Sequence, residues 1–446
     1  MITLPDSFIK EIQAVFGKED ADTYMALFEK EAFRGISVNR LKTTPEKLLA
    51  LLPYHVTASP FYTDGFYLNG DTAGIGKHPL HHAGAFYVQE PSATSAVTLL
   101  NVQPGEKILD LCAAPGGKSA QIASCLRGKG LLWSNELVRN RAQILLSNDE
   151  RIGIPNGVVS SCYPDKLCEK LSGFFDKVLV DAPCSGEGMF RKNPEAVTEW
   201  SREHVAACAE RQLSILDSAA KAVTEGGELV YSTCTFSYEE NEGVITAFLE
   251  SHPEFEAVSL REHFGRPSGV SCGVRITPLE GGEGHFAARM RRKGEKKSPV
   301  SVSVSARKAP KSAELAAAER ELGGILTKMP EGKLVMIGDK VYLWPNGLPE
   351  TGGTGVIRAG VLMGELKKNR FEPAHAMFMA LPVNSFQRVL DLSLEDPRTE
   401  AFLKGYEIDC ETGSGYTAVA VCGITLGFGK CSSGRLKNKY PKGLRI

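Results

Sequence analysis

Between about residues 100 and 250, short apolar runs alternate with longer segments whose apolar residues recur every three or four positions. The runs predict buried strands, and the longer segments predict amphipathic helices. The predicted strands are 107–111, 131–136, 177–181 and 228–232, and the last of them closes the alternation. One helix starts near Ser119, a second carries Ala142, Leu145 and Leu146, and a third carries Leu213, Leu216, Ala220 and Val223. This order predicts an α/β fold built on a doubly wound parallel sheet.

The flanking segments have other patterns. A helical stripe near the start contains Phe8, Ile9, Ile12, Val15 and Phe16, and strands are predicted at 36–42 and within 84–93. Eight Lys or Arg and one Glu over 291–313 predict a solvated basic linker, in which 300–304 alternates like an edge strand. We therefore expect an N-terminal domain over 1–98, the α/β domain over 99–290, the linker, and a Gly-rich C-terminal region over 314–446.

Composition narrows the class of protein. The 446 residues are 42% apolar and 24% charged, and the net charge is −1, which argues against a globally basic nucleic-acid binder but allows basic patches. No 18-residue apolar run and no secretory leader is evident, so we expect no membrane span and a cytoplasmic location. The eleven cysteines include no Cys-x2-Cys pair, which indicates reduced thiols and no zinc site.

A glycine-rich turn, Cys112 to Lys118, joins the first strand of the sheet to a helix. It ends like a phosphate-binding P-loop, in Gly117-Lys118-Ser119, but a P-loop needs glycine at the position of Cys112. Glu136 ends the next predicted strand, where an acid could accept hydrogen bonds from the ribose hydroxyls of a cofactor. The alternative is that Glu136 is a solvated surface acid. A glycine turn and an acid without a phosphate cradle favour S-adenosylmethionine over NAD, although a plain strand-to-helix turn remains an alternative.

Two cysteines follow two further strands. Cys184 lies in Asp-Ala-Pro-Cys-Ser-Gly after the run 178–180, and Cys234 lies in Ser-Thr-Cys-Thr after 229–231. Ligands of an open parallel sheet bind beyond these strand ends, so two thiols there indicate covalent chemistry, with buried structural thiols as the alternative. A nearby positive charge such as Lys118 would favour the thiolate. Asp181 would bind substrate or cofactor, or else cap a helix.

These motifs together resemble the Nop-Sun family of RNA 5-methylcytosine methyltransferases, and within it the bacterial RsmF-like enzymes that modify 16S ribosomal RNA. The resemblance covers most of the chain. It rests on the segments Tyr87–Ala93, Asp110–Lys118, Asp181–Phe190, Ser232–Thr235, Arg275–Phe286, Gly364–Phe371 and Leu426–Lys430.

The resemblance implies a fold and a site. The fold would be a Rossmann-like S-adenosylmethionine-dependent methyltransferase sheet, with a ferredoxin-like or RRM-like N-terminal domain and small C-terminal α+β RNA-binding modules, the last PUA-like. Cys234 would be the nucleophile and Cys184 would assist release. Asp165 is the candidate acid near the adenine. The implied cofactor-binding residues are Cys112, Ala113, Ala114, Pro115, Gly116, Gly117, Lys118, Glu136 and Asp181.

The implied substrate is cytosine in 16S ribosomal RNA, as free RNA or in the small subunit, and the protein would be a monomer without a metal. The same motifs could serve transfer RNA, and a non-catalytic ribosome-assembly factor could keep the fold for binding alone. Basic residues are candidates for phosphate contacts. They are Arg40, Lys42, Arg191 and Lys192, and in the tail Lys430, Arg435, Lys437, Lys439, Lys442 and Arg445.

Overall fold

The computed structural model describes residues 4–260, 264–295, 312–368 and 370–446. The N-terminal part begins with two helices that precede a four-stranded antiparallel sheet of order β2-β3-β1-β4. The β-α-β-β-α-β succession in this order is ferredoxin-like, as expected. Its elements are α1 Asp6–Phe16, α2 Lys18–Ala26, β1 Gly35–Val38, α3 Pro45–Leu51, β2 His55–Ala58, β3 Gly65–Asn69, α4 Pro79–His82 and β4 Phe86–Gln89.

The central part is a doubly wound sheet with helices on both faces, as predicted. Strands β7, β6, β5, β8 and β9 run parallel in that spatial order. Its elements are α5 Ser95–Leu100, β5 Lys107–Asp110, α6 Gly117–Leu126, β6 Leu131–Asn135, α7 Arg139–Ile152, β7 Gly157–Ser160, α8 Pro164–Lys170, β8 Phe175–Asp181, α9 Pro194–Glu199, α10 Arg202–Ala222, β9 Val223–Thr233, α11 Val244–Ser251, β10 Phe255–Ala257, β11 Arg266–Pro267, β12 Gly273–Ile276 and β13 His285–Arg292.

The central strands are apolar because both faces of the sheet are covered. On β5, Ile108 packs against one hydrophobic cluster and Leu109 against another. Neighbouring β8 alternates in the same way, with Val178 on the side of Leu109 and Leu179 on the side of Ile108. A strand buried on both faces reads as a continuous apolar run, which is why these strands were recognisable in the sequence.

Several predicted boundaries are wrong. The strand predicted at 36–42 ends at Val38, whereas helix α6, predicted to start near Ser119, begins at Gly117. Val223 was expected on the helix that carries Leu216, but it starts strand β9. The strand at 228–232 does not end the sheet, because β13, β12 and β11 extend it as antiparallel strands beyond β9.

The C-terminal part forms two smaller sheets of order β14-β15-β17-β18 and β19-β21-β22-β23-β20, while β16 joins the central sheet by pairing with β7. The predicted edge strand at 300–304 and most of the basic linker lie outside the described residues. The elements are α12 Ser312–Gly323, β14 Lys333–Ile337, β15 Lys340–Trp344, β16 Val356–Ala359, β17 Val361–Lys367, β18 Arg370–Pro373, α13 His375–Ala380, β19 Val389–Leu392, α14 Pro397–Leu403, β20 Ile408–Asp409, β21 Gly415–Val421, β22 Ile424–Ser432 and β23 Arg435–Asn438.

A helix that crosses a bilayer must be both long and apolar. A membrane-crossing helix needs about 20 mostly apolar residues. None of the helices in the four described ranges meets this requirement.

Candidate active site

The carboxyl ends of β5, β8 and β9 lie side by side and form the floor of the candidate site. Strand order along the sheet reverses between β5 and β8, because β6 and β7 lie on one side of β5 and β8 and β9 on the other. Ligands of open α/β sheets bind at such a switch point. Asp110 ends β5 and Asp181 ends β8, so both carboxylates lie at this crevice.

Two glycines shape the turn after β5. Gly116 has a φ of 119°, in the region that favours glycine. A Cβ on Gly117 would lie 2.6 Å from the Oε1 atom of Gln89 and 3.2 Å from the Tyr87 ring, so α6 starts close to the side chains of β4. The first turn of α6 then has backbone N–H groups without intrahelical partners. The loop predicted to bind the cofactor is therefore pressed against the end of the N-terminal sheet.

Asp110 is a buried acid with one unused oxygen. Its Oδ2 accepts a hydrogen bond of 2.7 Å from the Ser119 hydroxyl, while its Oδ1 is buried without a partner. Burial raises the pKa of Asp110 to about 7. Asp110 lines a cavity of about 270 Å³, the loop cavity, together with Gln89, Gly117, Lys118 and others. An acceptor here suits a cationic or amino group of a ligand.

The charges around the glycine turn are mainly negative. Burial raises the pKa of the Cys112 thiol, and the nearby carboxylates of Asp110, Asp181 and Glu136 raise it further. The carboxylates of Asp181 and Glu136, together with the ionised fraction of Asp110, disfavour a phosphate at this turn. This charge pattern disfavours a nucleoside triphosphate and agrees with the absence of the P-loop glycine at position 112.

Lys118 and Asp181 form an ion pair at the centre of the site. The Lys118 Nζ lies 2.7 Å from the Asp181 Oδ2, and the Ser232 hydroxyl donates to the Asp181 Oδ1 at 2.7 Å. Burial opposes the charge on Lys118, but Asp181 and, more weakly, Cys234 hold the pKa of Lys118 above its ordinary value. Asp181 thus joins the Gly turn to the strand that leads to Cys234.

The two cysteines meet at the mouth of the site. Their Sγ atoms are 3.3 Å apart, and both residues are half-buried. The residues that follow them, Ser185 and Thr235, are joined by a hydroxyl–hydroxyl hydrogen bond of 2.8 Å. The adjacent thiol of Cys234, with burial, raises the pKa of Cys184 well above its ordinary range. Two thiols on separate strand ends are therefore placed to act on one substrate atom pair.

Sequence reasoning missed two residues that hold these loops. Glu240 and Asn241 lie in a π-helical turn, Glu239–Gly243, and are fully buried. The Glu240 Oε2 accepts from the Ser185 N–H at 3.0 Å. Asn241 accepts from the Thr233 hydroxyl at 2.6 Å and donates to the Thr235 carbonyl at 3.0 Å. The available signal was the run of polar residues 239–242, which follows the Cys234 motif in sequence.

Glu136 lies beside a larger cavity. Its carboxylate accepts from the Val138 N–H at 2.9 Å and pairs with Arg141 at 3.2 Å. The cavity, about 770 Å³, also has Asp165, Cys184 and Cys234 in its wall and is called the cysteine cavity here. The loop cavity and the cysteine cavity share three lining residues, Cys112, Ala114 and Asp181.

These features fit S-adenosylmethionine. The unused Asp110 Oδ1 suits its amino group, the acid at Glu136 suits ribose hydroxyls, and the negative surroundings suit a sulfonium. Asp165 lies in the wall of the cysteine cavity. Among the residues that the structure describes, no group of three or more His, Cys, Asp or Glu is arranged to hold a metal ion.

The basic residues singled out in the sequence have different surroundings. Arg40 pairs with Asp64 at 3.6 Å. Lys42 is not available for phosphate, because its ammonium donates to the Met379 carbonyl of helix α13, and burial lowers its pKa to about 7. In the tail, Arg435 pairs with Asp409, while Lys437, Lys439 and Lys442 are exposed. Arg191 and Lys192 line a separate cavity.

The sheet topology and the site place the chain in the class of Rossmann-like methyltransferases. Four family models match successive segments. They are the N-terminal domain of 16S rRNA methyltransferase RsmF over 4–91, 16S rRNA methyltransferase RsmB/F over 97–291, the RsmF rRNA methyltransferase first C-terminal domain over 319–381, and the methyltransferase RsmF PUA domain over 389–446. The chain belongs to the RsmF family of the Nop-Sun group.

Individual relatives agree with this family. Ribosomal RNA small subunit methyltransferase F of Vibrio atlanticus is 31% identical, over 99% of this chain and 98% of the relative, and that of Vibrio campbellii matches equally. Among solved structures, PH0851 has a TM-score of 0.62 at 29% identity, covering 65% of this chain and 66% of that one. A methyltransferase homolog protein from Pyrococcus horikoshii has a TM-score of 0.58 at 27% identity, covering 65% and 96%.

Proposed function

We propose that the protein methylates carbon 5 of cytosine in 16S ribosomal RNA, using S-adenosylmethionine and a transient bond between Cys234 and the base. The observation that carries this proposal is the 3.3 Å separation of the Cys184 and Cys234 sulfur atoms at the wall of the cysteine cavity. Binding alone would require neither thiol. The names of the curated relatives, ribosomal RNA small subunit methyltransferases, support the choice of RNA.

The chemistry explains why two thiols are needed. Carbon 5 of cytosine is a weak nucleophile. The Cys234 thiolate adds to carbon 6, and the electrons of the C5=C6 bond move to carbon 5. The cofactor supplies an electrophilic methyl group, which carbon 5 takes. A base then removes the proton from carbon 5, the C5=C6 bond reforms, and Cys234 leaves as a thiolate; we assign assistance in this release to Cys184.

The surrounding residues favour these steps. Lys118 lies close enough to Cys234 for the two side chains to interact electrostatically. Asp181, held by Lys118 and Ser232, would accept a hydrogen bond from the amino edge of the base or from the cofactor. The raised pKa of Cys184 favours its thiol form, so Cys184 stays uncharged beside the Cys234 nucleophile. We assign cofactor binding to Asp110, Glu136 and the turn from Cys112 to Lys118.

The proposal also covers location, oligomeric state and domain division. We propose that the protein acts as a monomer in the cytoplasm, where its eleven free cysteines would remain reduced. We also propose that the divisions 1–98, 99–290, 291–313 and 314–446 are functional units, with RNA binding in the first and last. The family models over 4–91, 97–291, 319–381 and 389–446 support similar divisions.

The test is methyl transfer from methyl-labelled S-adenosylmethionine to 16S ribosomal RNA, assembled small subunits, 23S ribosomal RNA and transfer RNA. We expect label in 5-methylcytosine of the 16S RNA, located by bisulfite sequencing. Cys422→Ala, which changes a thiol in the C-terminal sheet, is the control for cysteine loss.

Three outcomes would contradict the proposal in different ways. Label in transfer RNA alone would show a different RNA substrate. Label on another atom of the base would refute the carbon 5 assignment. RNA binding without any methyl transfer, unchanged by Cys184→Ala or Cys234→Ala, would show a non-catalytic assembly factor.

A further inference from the structure

A cavity of about 1100 Å³ lies between the N-terminal sheet and the central domain, and it is called the junction cavity here. One wall comes from the loop before β1 and the turn after β3, with Arg34 and Thr72. The opposite wall carries Arg191 and Lys192, which follow the Cys184 loop in sequence. It shares Val88 and Gln89 with the loop cavity that contains Lys118 and Asp181. The junction cavity thus adjoins the loop cavity, and it shares no lining residue with the cysteine cavity.

Arg191 is a fixed part of this wall. Its guanidinium donates to the carbonyls of Lys30 and Glu31 at 2.9 and 2.8 Å and pairs with the buried Glu283 at 3.3 Å. Its side chain is only 4% exposed, and its Nε is buried without a hydrogen-bond partner. A guanidinium held in this way positions the adjoining backbone, including Lys192.

Lys192 is the available cation. Among the described residues, no carboxylate lies within 4.0 Å of the Lys192 ammonium, and the ammonium donates no hydrogen bond to the wall of the cavity. Burial lowers the pKa of Lys192, and the positive charges of Arg191 and Arg34 lower it further. The negative charges of Glu90 and Glu283 raise this pKa and partly oppose the effect. A half-buried ammonium beside two guanidiniums is a site at which an anion would be stabilised.

Two buried acids near Lys192 are engaged by other groups, while Glu31 and Asp71 of the cavity wall are exposed. Glu90 accepts hydrogen bonds from the backbone N–H groups of Ser92, Ala93 and Glu283 and pairs with His285 at 3.3 Å. Glu283 pairs with Arg191. Asp71, at the rim, accepts from the Ala73 N–H at 2.8 Å and is exposed. The charge of Lys192 is therefore left for an incoming group.

We propose that the junction cavity binds a backbone phosphate of the RNA next to the target cytosine, with Lys192 as the main contact and Arg34 beside it. The inference rests on the proposed function, because it concerns how that RNA enters. A base that leaves its stack to reach a buried thiol costs a few kcal/mol, and contacts to the adjoining backbone offset this cost. The shared wall at Gln89 connects such a phosphate with the reaction site.

The test compares Lys192→Ala with wild type in RNA binding and in steady-state methylation. We expect the dissociation constant for RNA to rise roughly tenfold, as for the loss of one charge-assisted contact. The slope of log K against log salt should become shallower by about 0.7–0.9, the value for one phosphate contact. The KM for S-adenosylmethionine should stay within twofold. Lys192→Arg should restore most of the RNA affinity and the salt slope.

Lys129→Ala is the matched control, because Lys129 is exposed in a loop between α6 and β6. An unchanged salt slope and RNA affinity in Lys192→Ala, with wild type active on RNA, would overturn this proposal and leave the proposed function intact. A wild-type protein without methyl transfer to any RNA would instead refute the proposed function. If inorganic phosphate at constant ionic strength stabilises wild type but not Lys192→Ala against heat, and the RNA slope is unchanged, the site binds a free anion and the proposal is wrong.

Discussion

The sulfur atoms of Cys184 and Cys234 are close together because the residues around them are bonded to each other and to one turn of helix. Ser185 and Thr235 are hydrogen-bonded side chain to side chain, and Asn241 contacts the residues on both sides of Cys234. Fixing two reacting groups in this way lowers the entropy that the reaction must lose. The position of Cys234 therefore depends on an amide that never touches the substrate.

Asn241→Ala tests this dependence. Loss of the bonds to Thr233 and Thr235 should lower kcat by about 10²-fold, the scale of a misplacement of about 1 Å, with the KM for RNA within about twofold. Asn156→Ala is the control, because Asn156 is also buried and donates to two carbonyls, those of Lys129 and Gly130. Both variants should lose about 1–3 kcal/mol of stability. An equal fall of kcat in the two variants would contradict a specific role for Asn241.

Asp110 should make stability depend on pH. Its pKa is raised by burial to about 7 in the folded chain, against about 3.9 when unfolded. Between these values the folded chain keeps a proton that the unfolded chain has lost, so this group's contribution to stability falls as pH rises from about 4 to 7, by up to about 1.4 kcal/mol per pH unit. Melting temperatures of Asp110→Asn relative to wild type should therefore increase between pH 5 and pH 7. A constant difference would refute the buried neutral acid.

The residue-level chemistry was only partly readable in the sequence. The glycine turn, Asp181 and both cysteines stand beside apolar strands, so their common location at one sheet edge follows from topology. The engagement of Lys42 with a carbonyl of α13 depends on a contact between residues 337 positions apart, which no local pattern encodes. Glu240 and Asn241 look like surface residues, because their burial depends on which loops fold over them.

At the scale of secondary-structure elements, the N-terminal helices support the cysteine loops. Phe8 of α1 packs on Phe190 with ring centroids 4.9 Å apart, and Tyr24 of α2 packs on Phe236 at 5.4 Å. Phe190 and Phe236 follow the Cys184 and Cys234 motifs in sequence. The Glu187 carboxylate links the same region by accepting from the Phe236 N–H at 2.9 Å.

Phe8→Ala should therefore reduce catalysis as well as stability. The truncation should cost about 3–5 kcal/mol, and we expect kcat to fall at least tenfold at a temperature where the variant remains folded. Phe371→Ala, which empties a similarly buried site in the C-terminal part, is the control. The measurements are kcat and the near-ultraviolet circular dichroism spectrum. An equal fall of kcat in Phe371→Ala and Phe8→Ala would show that helix α1 has no specific role in supporting the cysteine loops.

The elements that were predicted well are those with strong local signals. The parallel strands are continuous apolar runs, and helix α10 has clear three- and four-residue spacing. β16 was not recognisable as part of the central sheet, because it is a four-residue strand that reaches β7 from the C-terminal part. The antiparallel strands β11 to β13 likewise depend on pairing between distant segments.

At the scale of the whole molecule, the central sheet lies between two parts with RNA-related family matches, and its own reaction site has little positive charge. The tail carries exposed Lys437, Lys439 and Lys442 on the last sheet and the segment after it. Phosphate contacts of this kind position an RNA without reading its sequence. Substitutions in the tail should therefore change the affinity for RNA, whereas substitutions in the central reaction site should change kcat.

Replacing Lys437, Lys439 and Lys442 together by alanine tests this separation. The affinity for all RNAs should fall by a similar factor, and the salt slope should become shallower by up to about 2–3, because three charges are lost. The kcat at saturating RNA should be unchanged. Lys404→Ala, at an exposed lysine paired with Glu400, is the control. A loss of kcat without a change in the salt slope would contradict a positioning role for the tail.

The central claim is tested most directly by the covalent species. Cys184→Ala should accumulate RNA bound to the protein after incubation with substrate RNA and S-adenosylmethionine, and mass spectrometry should place a methylcytosine on Cys234. The double variant with Cys234→Ala should form no adduct. An adduct on Cys184 in the Cys234→Ala protein would reverse the two roles, and methylation by Cys234→Ala without any adduct would refute the account.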